Sequence, residues 1–158
     1  MFRPIRKKRN EISIAEAEKL LKDARRGVLA VNGDNNYPYA IPVNFYYDQA
    51  ERKIYFHGSR IGHKIDALKN CDKVCFTVIG NETVKDTPWA PYVQSAVVFG
   101  RCNPVEDASA AEAKLRQFAM KYYPDEAAVN EEISKAGKAV RMYEIQIEHL
   151  SGKEVQER

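Results

Sequence analysis

The sequence predicts a mainly β protein, an antiparallel barrel with peripheral helices, and three observations carry that expectation. Apolar and β-branched residues recur in about six short runs. Turn-forming clusters separate those runs at hairpin-like spacing, and helical periodicity lies mainly towards the two ends of the chain. With 158 residues, 44% hydrophobic and 30% charged, the chain is long enough for one domain whose core needs no disulfides.

The first element is a helix. Ser13-Ile14-Ala15-Glu16 has the form of a capping box, and Ala17, Leu20, Leu21 and Ala24 follow at helical spacing until Gly27, read as the stop. Val28 to Val31 is a short strand, closed by the turn residues Gly33-Asp34-Asn35-Asn36. Tyr39 to Tyr47 reads as one strand, and Pro42 inside it argues for an edge, a bulge or a point where something other than a strand approaches, because proline removes a ladder donor. Residues 48–52 form a hairpin loop into the strand Lys53 to His57.

After a loop from Gly58 to Gly62, a short helix is expected over His63 to Leu68 and a strand over Val74 to Ile79. Residues 80–91, with Trp89 between Pro88 and Pro91, read as the longest irregular connection. Tyr92 to Arg101 is strongly strand-like. Helices are then expected over Ala108 to Tyr123, ended by Pro124, and over Ala127 to Lys135. Tyr143, Ile145 and Ile147 alternate with Glu144, Gln146 and Glu148, the pattern of a half-buried strand.

Charge is distributed unevenly. Residues 1–9 hold Arg3, Arg6, Lys7, Lys8 and Arg9 with no acid, and the rest of the chain carries two more acids than bases. The expected organisation is therefore a basic arm over residues 1–12 and a single domain over 13–158. An acidic body argues against a nucleic-acid-binding protein, which would carry a basic stripe within its fold. No apolar run approaches the roughly 20 residues that span a bilayer, and no apolar stretch follows the basic arm as in a signal peptide. Three cysteines without a CxxC pair fit a reducing, cytoplasmic setting.

Among candidate sites, the strand-to-helix stretch Ile54 to Lys64 is the most informative. Gly58 and Gly62 allow close backbone approach, and Ser59, Arg60, Lys64 and the helix amides could together cradle a phosphate. The alternative is an ordinary turn with solvated charges. His57 and His63 lie across that loop and His149 is remote, so the histidines do not form a metal site. No nucleophile elbow marks a hydrolase.

These segments, taken in order, resemble the flavin-binding split-barrel superfamily, in its pyridoxamine-phosphate-oxidase-related branch that includes the nitroimidazole-resistance proteins. The resemblance rests on Arg6 to Arg9, Tyr37 to Phe45, Ile54 to Ser59 with Gly62-His63-Lys64, Tyr92 to Gly100, and His149 to Glu154. It implies a six-stranded antiparallel split β-barrel and a homodimer with FMN at the subunit interface. Ile41, Pro42, Val43 and Asn44 would lie along the flavin ring. The ribityl phosphate would be held by His57, Gly58, Ser59, Gly62, His63 and Lys64. Tyr92 and Ser95 would approach from the second subunit. His57 matches a histidine beside the reactive ring and is the catalytic candidate; its other reading is a cofactor ligand.

The function implied is an FMN-dependent oxidoreductase reducing nitro or other small electron-poor compounds, with NAD(P)H as a candidate donor. The alternative is a flavin-binding sensor or carrier without turnover. Oxidation of vitamin B6 is not expected, because the chain ends soon after its last strand, without the arginine-containing segment that binds that substrate.

Overall fold

The computed structural model describes residues 1–86 and 89–156. Its first helix, α1 (Ile14–Asp23), begins where the capping box places it: Ser13 Oγ accepts from the Glu16 amide at 3.2 Å, and the Glu16 carboxylate accepts from the Ser13 amide at 2.8 Å. Ala17 and Leu21 form its buried face. The helix ends at Asp23, and Gly27 is not its stop.

Gly27 instead lies inside β1 (Arg26–Asn32), where a Cβ would come within 2.2 Å of the Phe76 ring. Phe76 is fully buried and meets Phe45 edge-on at 4.9 Å, so its ring has little room to retreat. Gly27→Val should therefore cost about 1–3 kcal/mol, the usual scale of overpacking. Urea unfolding should show a lower midpoint with an unchanged slope; an unshifted midpoint would mean that the ring moves freely.

The run read as one strand is two. β2 (Pro38–Asn44) pairs antiparallel with β1, and β3 (Tyr46–Asp48) pairs with β4 (Lys53–Gly58) at the far side of the sheet. With β5 (Lys73–Ile79), β7 (Trp89–Pro104) and β8 (Arg141–Gln156), the strand order is β2-β1-β5-β7-β8-β4-β3, so the two outermost strands are joined covalently through Phe45 although no ladder connects them among the described residues. The sheet curls into a split barrel. Pro42 sits on that edge strand, as a missing donor requires.

At the split, the Phe45 amide donates to Tyr122 Oη at 2.8 Å, and the Phe45 carbonyl accepts from Lys121 Nζ at 3.0 Å. Both partners come from the end of α3 (Ala108–Tyr122), which satisfies the backbone that the sheet leaves open.

The sheet has eight strands rather than six. After α2 (His63–Asn70) and β5 (Lys73–Ile79), the stretch expected to be irregular is a hairpin of β6 (Thr83–Asp86) with the start of β7 (Trp89–Pro104). Pro88 lies outside the described residues. Pro91 stands opposite Val84, and among the described residues the pairing of β7 with β8 (Arg141–Gln156) reaches only to Tyr92. The other strand missed was β3, three residues long and too short to show a period.

β4 is buried on both faces. Ile54 and Phe56 point into the barrel core with Leu29, Val78, Val98 and Ile145, whereas Tyr55 packs with Phe118 and Met142 under α3. The last helix, α4 (Glu126–Ala136), packs on α3. Among the described residues no helix is long and apolar enough to cross a membrane.

Candidate functional site

β4 carries the chain into the loop at Gly58, which pairs with Arg141 at the start of β8. Two contacts give this loop its shape. Tyr143 of β8 stacks on Phe56 at 5.3 Å and donates its hydroxyl to the Ser59 carbonyl at 2.8 Å. Ser59 Oγ accepts from the Ile61 amide at 3.2 Å, which leaves the hydroxyl proton free to donate outward. Gly62 then takes a φ of +121°, where a side chain would be strained, and its carbonyl accepts from the amides of Ile65 and Asp66. The amides of His63 and Lys64 have no backbone acceptor among the described residues, and α2 therefore begins with two open donors.

Lys64 is half-buried. Its ammonium lies 5.3 Å over the Phe56 ring, and a Cβ on Gly58 would come within 3.3 Å of it. No carboxylate among the described residues pairs with it, and burial holds the group below the ordinary lysine value. The Cys102 thiol also acts on it, but burial pushes that thiol up to about 12 and so keeps it neutral. A desolvated cation without a counter-charge is costly, and an anion over Gly58 would relieve it.

His57 faces the other way. Its ring meets Phe118 of α3 edge-on at 5.0 Å. Partial burial, and secondarily the Lys64 ammonium, hold the imidazole below its ordinary value of 6.5, which makes it neutral at pH 7. His63 also turns from the loop: its ring stacks on Tyr39 at 4.2 Å, and Nε2 lies 3.6 Å from Asp34 Oδ2. The histidine thus ties the start of α2 to β2.

The expected ring-flanking segment divides by face. Ile41 and Val43 pack against the core, whereas Pro42 and Asn44 are exposed. The outer backbone edge of β2 faces no strand among the described residues. Tyr92 and Ser95 are not brought to the loop within one chain. Gly58 pairs at Arg141, near one end of β8, and Tyr92 pairs at Gln156, at the other.

The sheet face between them is apolar where solvent would favour polar side chains. Registered rows across it run Pro42, Val28, Thr77, Val97 and Ala40, Ala30, Cys75, Phe99. Val28 and Phe99 are each about two-fifths exposed, and Phe2 of the basic arm lies stacked on Phe99 and His149.

Sequence reading missed Tyr143, Tyr39 and Phe118 as parts of this site. Alternation marked Tyr143 as inward-facing, but only the pairing Phe56↔Tyr143 places it beneath the loop.

A family model described as pyridoxamine 5′-phosphate oxidase matches residues 13–154. Among solved structures, a candidate 5-nitroimidazole antibiotic resistance protein from Bacteroides thetaiotaomicron is similar at a TM-score of 0.78 and 20% identity, covering 92% of this chain and 87% of that one. An FAD-binding protein from Mesorhizobium loti aligns at 0.65 and 21%, covering 92% and 96%. The flavocytochrome Anf3 from Azotobacter vinelandii aligns at 0.71 and 19%, covering 95% and 71%. Among curated proteins none matches.

Proposed function

Because this chain belongs to the pyridoxamine 5′-phosphate oxidase family, we propose that it is a homodimeric flavoprotein that holds one FMN per chain and reduces nitro or other small electron-poor compounds. One observation carries the reading: the half-buried, unpaired Lys64 ammonium over Gly58, at a loop with open amides and a free hydroxyl proton. Those donors suit a phosphate, with Lys64 as the charge and Ser59, His63 and Lys64 amide or hydroxyl groups as directional partners. One such loop and no dinucleotide fingerprint favour FMN over FAD.

The flavin would supply the electron transfer, with reducing equivalents from a donor such as NAD(P)H. The chain's own residues bind, orient and exclude water. The open edge of β2 offers backbone donors and acceptors beside exposed Pro42 and Asn44. Neutral His57 offers a ring nitrogen on the α3 side. Likeness to the Bacteroides protein supports nitro compounds as acceptors.

Two features support the dimer. Tyr92 and Ser95 lie at the far end of β8 from the loop, so they reach a flavin only from a second copy, and the apolar outer face supplies a surface for that copy. Ligand that binds only the dimer strengthens it by about 2.7 kcal/mol per site at a hundredfold excess over Kd. Calorimetric titration should give one FMN per chain, bound more tightly than FAD. Sedimentation across a dilution series should show a holo-dimer and an apo-protein that dissociates at higher concentration. Equal binding of FAD would sink the FMN assignment, and a fully loaded monomer would sink the shared site.

A further inference from the structure

A cleft of about 500 Å³ separates α3 from α4 and the start of β8, within the range of small-molecule sites. Its walls are apolar: Leu115 from α3, Ile133 from α4, then Val140 and Met142. A smaller cavity of about 80 Å³ shares Leu115, Ile133, Gly137 and Val140 and is closed by His57 and Phe118. Sharing those four residues, the two lie side by side, with the exposed His57 in the lining of the smaller one.

The mouth is charged, and unevenly so. Arg60, from the Gly58–Gly62 loop, and Lys138, beyond α4, have no ion-pair partner among the described residues. Arg141 is held by Glu106 at 2.8 Å, so that pair is internally neutral. Glu112 is the remaining carboxylate at the rim, and Glu132 lines the smaller cavity. An apolar slot with surplus cations at its entrance favours a ligand with an apolar ring and one negative group, and disfavours its cationic analogue.

We infer that this cleft binds an aryl carboxylate, its ring directed inward to His57 and its carboxylate at Arg60 and Lys138. That binding does not depend on the flavin assignment above. Arg60 belongs to both the cleft and the proposed phosphate loop, so occupancy of one site would be felt at the other through a single short segment.

The test uses 2-naphthoate, its neutral alcohol and its amine as probes, titrated by naphthalene fluorescence into the full chain with and without FMN. Naphthoate should saturate in both preparations, and the amine should bind at least about tenfold more weakly. Lys138→Glu should weaken naphthoate about fivefold or more, Glu112→Gln should tighten it, and FMN affinity should change in neither variant. Ile133→Trp, checked for folding by circular dichroism, should fill the slot and abolish binding. On titration the His57 imidazole proton resonance, identified by its absence in His57→Gln, should shift.

Equal binding of the three probes, indifference to both charge variants, or no saturation at millimolar naphthoate overturns the inference. Failure of FMN to bind while naphthoate saturates would overturn the flavin assignment alone.

Discussion

Lys64→Met should lower FMN affinity about a hundredfold while leaving the apo-protein as stable as the parent, or slightly more so. Methionine keeps an apolar stem over Phe56 and removes the charge. The loss of a hydrogen bond to a charged group is worth about 1.5–3 kcal/mol, and about 1.4 kcal/mol is tenfold in Kd. In the apo-protein the same change removes a half-buried ammonium whose charge burial disfavours, so stability should not fall. A lysine with a purely structural role would behave in the opposite way.

The pH dependence follows from the same shift. The free-protein pKa is lowered, and a bound phosphate raises it again, so binding takes up a proton where free Lys64 is neutral. FMN affinity should therefore decline as pH rises through the lowered lysine value. The Met variant should lack that decline. Unchanged affinity in Lys64→Met, measured by flavin fluorescence quenching, would remove the phosphate from this loop.

His57→Ala should retain most FMN affinity and slow reoxidation of the reduced flavin by a nitroaromatic acceptor by about 100-fold or more, the scale of a positioned acid–base group. Stopped-flow reoxidation after photoreduction gives this rate per bound flavin without reference to the donor. Burial and the nearby Lys64 charge favour the neutral imidazole. The parent rate should be level around neutral pH and above, and fall only as pH drops through a value below the ordinary imidazole one, as protonation removes the neutral ring. The variant should show no such limb. Reduced affinity with an unchanged rate would make His57 a ligand, and no measurable reoxidation by any acceptor in the parent would favour the sensor or carrier.

Several parts of this molecule could be read one residue at a time. Ser13 and Glu16 interact over three positions, so the start of α1 needs no tertiary information. Pro42 carries its own constraint, and an edge strand is where it lies. Gly58, Ser59, Gly62 and Lys64 come from one continuous segment, which is why the loop could be recognised before the fold was known.

What local pattern could not supply was the identity of partners across the sheet. Gly27 looked like a helix stop because glycine suits both a cap and a close approach, and only the position of Phe76 distinguishes them. Phe45 fitted an unbroken strand; its break depends on Tyr122 and Lys121, more than seventy residues away, which satisfy its backbone in place of a ladder. His57 and Lys64 could be assigned to one loop, but not to opposite sides of it. Hydrophobic alternation and turn chemistry are short-range quantities, and they determined most of the strands, the edge at Pro42 and the glycine loop between Gly58 and Gly62. Register and packing are long-range, set by which side chains fill the same volume, and they alone decided that Tyr143 supports the loop, that Lys64 lacks a counter-charge among the described residues, and that His57 lines the small cavity beside the α3–α4 cleft.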